Sequence, residues 1–441
     1  MKMKGYADYE ECRLPWLGRY PRHWSLTKTK RVCSFTTGWT PPTGDSAAYE
    51  GDCPWANISD LGQRVILNTA KSISAKAAED HGLELIPAGS LMFSFKLSVG
   101  QVAFAGKPMF SNEAIASFRE SADLDLRFSY YAFPIFLVEN AAENIYGAKL
   151  LNQFLIREAI FPLPPKPEQR LIADFLDREA AKIDALIDEQ ERLLALLAEK
   201  RQAVISHAVT KGLNPDAPMK DSGVAWMGQI PAHWRVAPLA RVSRERCDGP
   251  FGSGIKSSHY TDQGALVVRL QNIRAGRFRM GEPVYLDQEY FESELKGHAV
   301  LNGDVLVAGL GDDNNLLGRA CVAPANLGPA LVKADCFRFR LLDDMCPEFI
   351  AHQLCAGAAF DAGQLATGTT RSRIPLSAMA GRMVAFPPMD EQKAIKVHIA
   401  GLLKKSDDLC CMAEAAIALL RERRAALIAT TVTGQVDVRG V

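Results

Sequence analysis

The sequence runs to 441 residues, 48% hydrophobic and 23% charged, a balance that excludes a disordered or fibrous chain, and no apolar run approaches the roughly 20 residues of a membrane span. Its 51 basic residues offset 51 acidic ones for a net charge of +0, so no global field draws nucleic acid and any such interaction rests on local charge. A chain of this length exceeds one ordinary core and implies about three units, or two large ones plus connecting helices.

Met1 to Trp16 mixes Lys, Asp, Glu and Tyr with no apolar segment, so no secretory signal is expected and the cytoplasm is the expected location. The cysteines include no C-x-x-C pair, which fits a reducing compartment, and the scattered histidines show no metal-ligand spacing.

In chain order, Trp16-Leu17-Gly18-Arg19-Tyr20-Pro21-Arg22-His23-Trp24 comes first, and its Trp, Gly, Pro, His and Trp return at identical spacing from Trp226 to Trp234. Short apolar runs such as Leu91 to Phe95 read as strands, and Asp125 to Glu139 reads as a helix. Phe161-Pro162-Leu163-Pro164-Pro165-Lys166-Pro167-Glu168-Gln169 leads into a proline-free stretch to Thr210, and Phe386-Pro387-Pro388-Met389-Asp390-Glu391-Gln392 leads into a second to Thr433. Between them lie strand-like Ala265 to Leu270 and Val305 to Ala308, and a helical stretch from Pro347 to Gln364. The chain is therefore written twice. The recurring tryptophans suit a shared scaffold that packs each domain onto its helix. Asp390 and Glu391 suit the N-terminal end of a helix dipole.

In the first long helix Leu176, Ile183, Gln190, Leu197 and Val204 fall seven apart, with Leu186 and Leu193 expected on the companion seam. In the second, Ile399, Leu402, Leu409, Leu420 and Leu427 fill the same seams, with Ala413 and Ala416 between. At 1.5 Å per residue each helix is a rod of about 60 Å whose apolar stripe needs a partner. The other repeat supplies it, so the two helices are expected to pair antiparallel, with the globular parts at opposite ends of a stiff spacer. The expected divisions are 1–164, 165–212, 213–388 and 389–441.

The doubled W-x-G-x-x-P-x-H-W opening and P-P-x-x-E-Q helix entry resemble the specificity subunit of type I restriction-modification systems over nearly the whole chain. The blocks Asp248 to Ser253, Val268 to Ile273, Gly303 to Leu306 and Gly368 to Arg371 follow that family's order, and Gly38 to Thr43, Ala56 to Ile58, Pro87 to Leu91 and Tyr146-Gly147 form a weaker copy. The resemblance implies an α+β fold: two target-recognition domains of mixed α/β structure, separated by a coiled coil of two long antiparallel helices, with a pseudo-twofold internal repeat. It also implies a non-catalytic reader of a bipartite double-stranded DNA site, without a membrane. The partners it implies are two modification subunits, which methylate adenine, and two restriction subunits, which translocate and cut. No cofactor is expected in this chain; S-adenosylmethionine, ATP and Mg belong to the partners.

Local charge supports DNA contact in the second half. From Arg241 to Arg279 eight basic residues face three acidic ones, the excess that phosphate contacts need. Gly249, Gly252 and Gly254 permit close backbone approach, and Ser253, Lys256 and Ser257 offer donors. The forked side chains of Arg269, Gln271, Asn272 and Arg274 suit base edges. Thr369, Thr370, Arg371 and Arg373 form a second polar cluster. In the first half Thr40, Thr43, Asn57, Ser59, Lys96 and Ser98 occupy corresponding places without a basic excess.

Enzymatic readings fail on spacing. Gly249 to Ser257 resembles a phosphate-binding loop, but Ile255 separates the lysine from the glycine it must follow. Each Pro-Pro follows Thr40, Leu163 or Phe386, not the Asp or Asn of an amino-methyltransferase. Glu391-Gln392-Lys393 lacks the upstream Pro-Asp of a metal nuclease. A protein-assembly scaffold, or a stand-alone DNA-binding protein, is the alternative.

Overall fold

The computed structural model describes residues 4–42, 44–143, 147, 149–312, 314–364 and 372–440. The chain divides into two compact units, Met1–Glu191 with Glu414–Val441, and Arg192–Ala413. Each unit takes part of both long helices, Lys166–Lys211 and Met389–Val432. The expected intervals instead gave each helix a division of its own.

In the first unit the antiparallel sheet runs Phe35–Thr37, Ile115–Phe118, Leu91–Ser94, Val102–Ala105, with Val65–Ile66 added in parallel at the edge. Beside it Cys53–Ala56 pairs antiparallel with Lys71–Ile73 and parallel with Phe110–Ser111. The strand Leu91–Ser94 is apolar without a polar face because both sides are covered. Leu91 and Phe93 enter one core with Phe118, Phe128 and Phe133, while Met92 enters a second with Ala103 and Ile115. The helix Leu126–Glu139 is capped by Asp125, whose carboxylate accepts from the Arg127 and Phe128 amides.

The second unit repeats this order. Ser243–Cys247, Cys336–Leu341, Val305–Ala308 and Ala320–Val322 form the antiparallel sheet. Ala265–Val268 pairs parallel with Ala330–Val332, as Cys53–Ala56 does with Phe110–Ser111. Val305 and Val307 again face one core and Leu306 and Ala308 another. The second helix spans Pro347–Gln364, and the strand expected to reach Leu270 ends at Val268, where the chain turns.

Both repeated motifs acquire a structural meaning. In the first unit the Glu168 carboxylate accepts from Tyr6 Oη at 2.7 Å and Trp24 Nε1 at 3.2 Å, and lies 2.8 Å from His23 Nε2. In the second, Glu391 accepts from Trp234 Nε1 and lies 2.7 Å from His233 Nε2. The following glutamine ties the helix entry to the domain helix: Gln169 Oε1 accepts from the Asp125 amide and Gln392 Oε1 from the Cys346 amide, each at 2.8 Å. Trp24 and Trp234 are buried scaffold residues, while Trp16 and Trp226 pack at the core margins. Glu391 is thus held by side chains of the opening motif as well as placed at a helix start.

The long helices run antiparallel within each unit. Asp184 meets Arg424 and Glu191 meets Arg421 in the first, and Arg201 meets Asp407 in the second. The seam Leu176, Ile183, Gln190, Leu197, Val204 faces inward. Its companion, however, runs through Ala173, Ala180, Ile187 and Leu194, and Leu186 and Leu193 are 52% and 39% exposed. In the second helix Leu409 is also exposed, and Leu403, Cys410 and Ile417 line the inner face. Small Ala173 and Ala180 thus hold the companion seam where Leu186 and Leu193 were expected.

Candidate nucleic-acid interface

The parallel strand pairs place one turn at the same point in each unit. In the second unit, Val268 ends its strand opposite Val332, and the Lys333 amide donates to Val268 O at 2.9 Å. The turn Arg269-Leu270-Gln271-Asn272 follows. Asn272 is buried; its Oδ1 accepts from the Arg269 amide at 2.8 Å, and its Nδ2 donates to the carbonyls of Arg279 and Met280. In the first unit Ala56 lies opposite Ser111, and the Asn112 amide donates to Ala56 O at 3.0 Å. Asp60 accepts from the Asn57 amide at 2.9 Å and from the Ala70 amide at 3.0 Å.

These registers make Arg269 equivalent to Asn57, Gln271 to Ser59, Asn272 to Asp60 and Lys333 to Asn112. Asn272 is consequently not a free base reader, because its amide is spent on backbone. Asn57 is also engaged, its Oδ1 accepting from the Ser59 amide and hydroxyl. Gln271 and Ser59 project from the two turns exposed.

Around the second turn lies a cleft of about 480 Å³, lined by Arg269, Gln271, Arg274, Asp312, Asn315, Arg319 and Lys333 among others. Four cations therefore face one carboxylate. Arg319, 5% exposed, donates through Nε to Ile273 O, through Nη1 to Leu310 O and Leu316 O, and through Nη2 to Leu270 O. It stitches the turn to the opposite loop of the cleft. Burial, reinforced by the Arg274 charge, pushes the Arg319 pKa below the usual arginine value, with Asp312 opposing the shift. Arg269 Nη2 donates to Glu282 O at 2.6 Å, but its buried Nε has no partner. Arg274 is held by Asn315.

The second predicted cluster reaches this rim. Ser372–Arg373 pairs with Leu310–Gly311, and Arg373 bonds Asp335 at 2.7 Å while its guanidinium lies 5.2 Å from the centre of the Phe251 ring. Thr43, Thr369, Thr370 and Arg371, with Tyr146 and Gly368, lie outside the described residues, as does the side chain of Ser253. Lys256 and Ser257 are exposed on the neighbouring loop, and Gly252 adopts φ +55°. Gly249 approaches backbone of its own chain: an added Cβ would lie 2.1 Å from Lys333 C. Arg244 is drawn away to Asp343.

In the first unit Thr40 bonds Glu113 and lines a separate hollow with Tyr49, Trp55, Lys71 and Lys107. Lys96 and Ser98 are exposed on the loop after Leu91–Ser94. Lys333 and Arg319 were missed by sequence reasoning, since each is a single cation beside an apolar strand. Leu97, Ser98 and Asp335 are the non-glycine residues with left-handed φ among those described, at 49°, 31° and 63°. Each conformation costs on the order of 1–3 kcal/mol and tends to mark functional sites.

The structure therefore holds two copies of one α+β scaffold, which present different polar side chains on equivalent turns and join to long paired helices. Residues 21–194 match the family model of the type I restriction modification DNA specificity domain. Over those residues the chain is similar to the specificity subunits of type I restriction-modification systems.

The chain is similar to the MjaIX specificity subunit of Methanocaldococcus jannaschii, 24% identical over 198 residues, 44% of each chain. It resembles the EcoKI specificity subunit of Escherichia coli K12 at 25% over 304 residues, 68% of this chain and 62% of the relative. These alignments span less than two thirds of either relative. The MjaVIII specificity subunit aligns over 96% of this chain and 95% of its own at 19% identity. The fold is shared with the HsdS subunit from Thermoanaerobacter tengcongensis, with TM-score 0.51, 14% identity, and coverage of 95% of this chain and 98% of that one. A chain solved for complex assembly and conformational transition of the type I R-M system gives TM-score 0.64 and 16% identity, covering 94% of this chain and 98% of its own. No helix among the described residues is long and apolar enough to cross a membrane.

Proposed function

We propose that this chain reads a bipartite double-stranded DNA site for a type I restriction-modification enzyme and performs no chemistry itself. The observation that carries the reading is the pair of equivalent turns. Arg269, Gln271 and Lys333 stand in one unit where Asn57, Ser59 and Asn112 stand in the other. One scaffold with two sets of hydrogen-bonding groups suits two different half-sites. Arg269, Arg274 and Lys333 of the cleft supply charge for phosphate contact despite a neutral chain.

In this reading residues 1–164 and 213–388 are the two readers, and residues 165–212 and 389–441 are the long helices that join them. Two modification subunits, which methylate adenine, and two restriction subunits, which translocate and cut, dock on the chain in the cytoplasm. S-adenosylmethionine, ATP and Mg act on those partners. The test replaces residues 213–388 with the corresponding domain of a relative and maps methylated adenines in cells that also carry the modification subunit. One half of the recognised site is expected to change while the other stays; a change in both halves overturns the two-reader assignment.

A further inference from the structure

The loop after Leu91–Ser94 carries an apolar side chain where the sequence suggested only Lys96 and Ser98. Leu97 is 80% exposed, more than any other large apolar side chain among the described residues. Its backbone and that of Ser98 are both left-handed, at φ 49° and 31°. The loop's base is tightly held. Ser94 is fully buried; its Oγ donates to Ser98 O at 2.6 Å and accepts from the Gln101 amide at 3.0 Å, and Ser94 O accepts from the Gly100 amide at 2.9 Å. The Phe95 amide donates to Ala114 O at 2.9 Å.

Strand topology places this loop on the same end of the unit as the reading turn. Ser94 lies opposite Ile115, three residues after Asn112, whose amide bonds Ala56 immediately before Asn57. In the second unit the equivalent strand end is Ala308, whose amide donates to Arg319 O and whose carbonyl accepts from the Gly318 amide. There the intervening loop contributes Asp312 and Asn315 to the cationic cleft. Equivalent loops thus present a charged cleft in one unit and an apolar tip in the other.

We propose that Leu97 is a wedge that enters the half-site read by the first unit and partly unstacks one base step. An apolar side chain held out on a braced loop beside polar groups has the character of the wedges with which proteins kink duplex DNA. Such a wedge selects sequence through how readily a step deforms, without needing the basic excess that the first unit lacks. The proposal rests on the DNA-reading assignment above.

The test uses the full chain with its modification subunits, after its site has been located by sequencing methylated adenines. Duplexes carrying 2-aminopurine at successive positions of that half-site report unstacking through their emission. The wild type is expected to raise emission at one step. Leu97→Asn, which tolerates the left-handed backbone, should abolish the rise and weaken cognate binding on the order of tenfold, while Leu97→Met keeps both. Unchanged emission and affinity in Leu97→Asn would overturn the wedge. So would weaker binding without any emission change in the wild type, which would mean a surface contact only. Failure of the wild type to distinguish cognate from scrambled duplex would instead remove the reading on which the wedge rests.

Discussion

Trp234 donates its indole N–H to Glu391 at 3.1 Å, and the indole is fully buried. Removing the acceptor in Glu391→Ala strands that donor away from water, at a cost of about 1–3 kcal/mol. A lower midpoint in urea unfolding is expected. Coupling with Trp234→Phe should make the double variant less destabilised than the sum of the singles. An unmoved midpoint for Glu391→Ala would show that the clamp contributes nothing.

Acid should act on the first unit through Asp177. Burial alone would raise its pKa, but hydrogen bonds from Arg127, Tyr131 and Arg64 outweigh it and lower the value from the usual carboxylate range. A depressed folded-state pKa contributes stability above the unfolded value, near 4, and that contribution fades as pH falls through the folded one. Asp177→Asn is therefore expected to lower the thermal midpoint at pH 7 and to differ progressively less from the wild type below about pH 4. A gap independent of pH would exclude the charge as its cause.

Salt separates phosphate contacts from base contacts at the cleft. Lys333→Ala and Arg269→Ala should each lower the slope of log affinity against log salt by about 1 if the cation meets a phosphate. Gln271→Ala should leave the slope in place and relax preference at one base pair, by about 1–3 kcal/mol. Binding to random duplex that ignores salt altogether would favour the assembly-scaffold alternative.

Asn272→Ala tests the turn. Its amide closes bonds to Arg269, Arg279 and Met280, so the variant should lose stability and weaken binding to every site alike. Relaxed selectivity at a single base with full stability would return Asn272 to the readers.

Deleting one heptad from each long helix is expected to shorten the unread interval between half-sites, as seen in the positions of methylated adenines. An unchanged interval would remove the helices as the ruler.

What the sequence could tell depended on whether identity or placement carried the information. Helix starts were legible because Pro164-Pro165 and Pro387-Pro388 precede them. The domain helix after Asp125 was legible from its length. The role of Glu168 and Gln169 was hidden, since their partners, His23 and Asp125, meet them only through the fold. The main helix seam was legible from its heptad spacing, but its companion was misplaced because Ala173 and Ala180 give no hydrophobic signal beside Leu186. At the cleft, Arg269, Gln271 and Arg274 were found from local charge and forked shape. Arg319 and Lys333 arrive from other strands, and no spacing rule points to them.

The backbone fastenings made by Asp60 and Asn272 carry one further implication. Because each ties its own turn to backbone, the exposed positions 59 and 271 are left out of those bonds. Under the proposed function, a lineage acquires a new target by changing a few codons at the rim while its architecture is inherited intact. The same economy makes those two positions the natural place to begin a library of altered preferences.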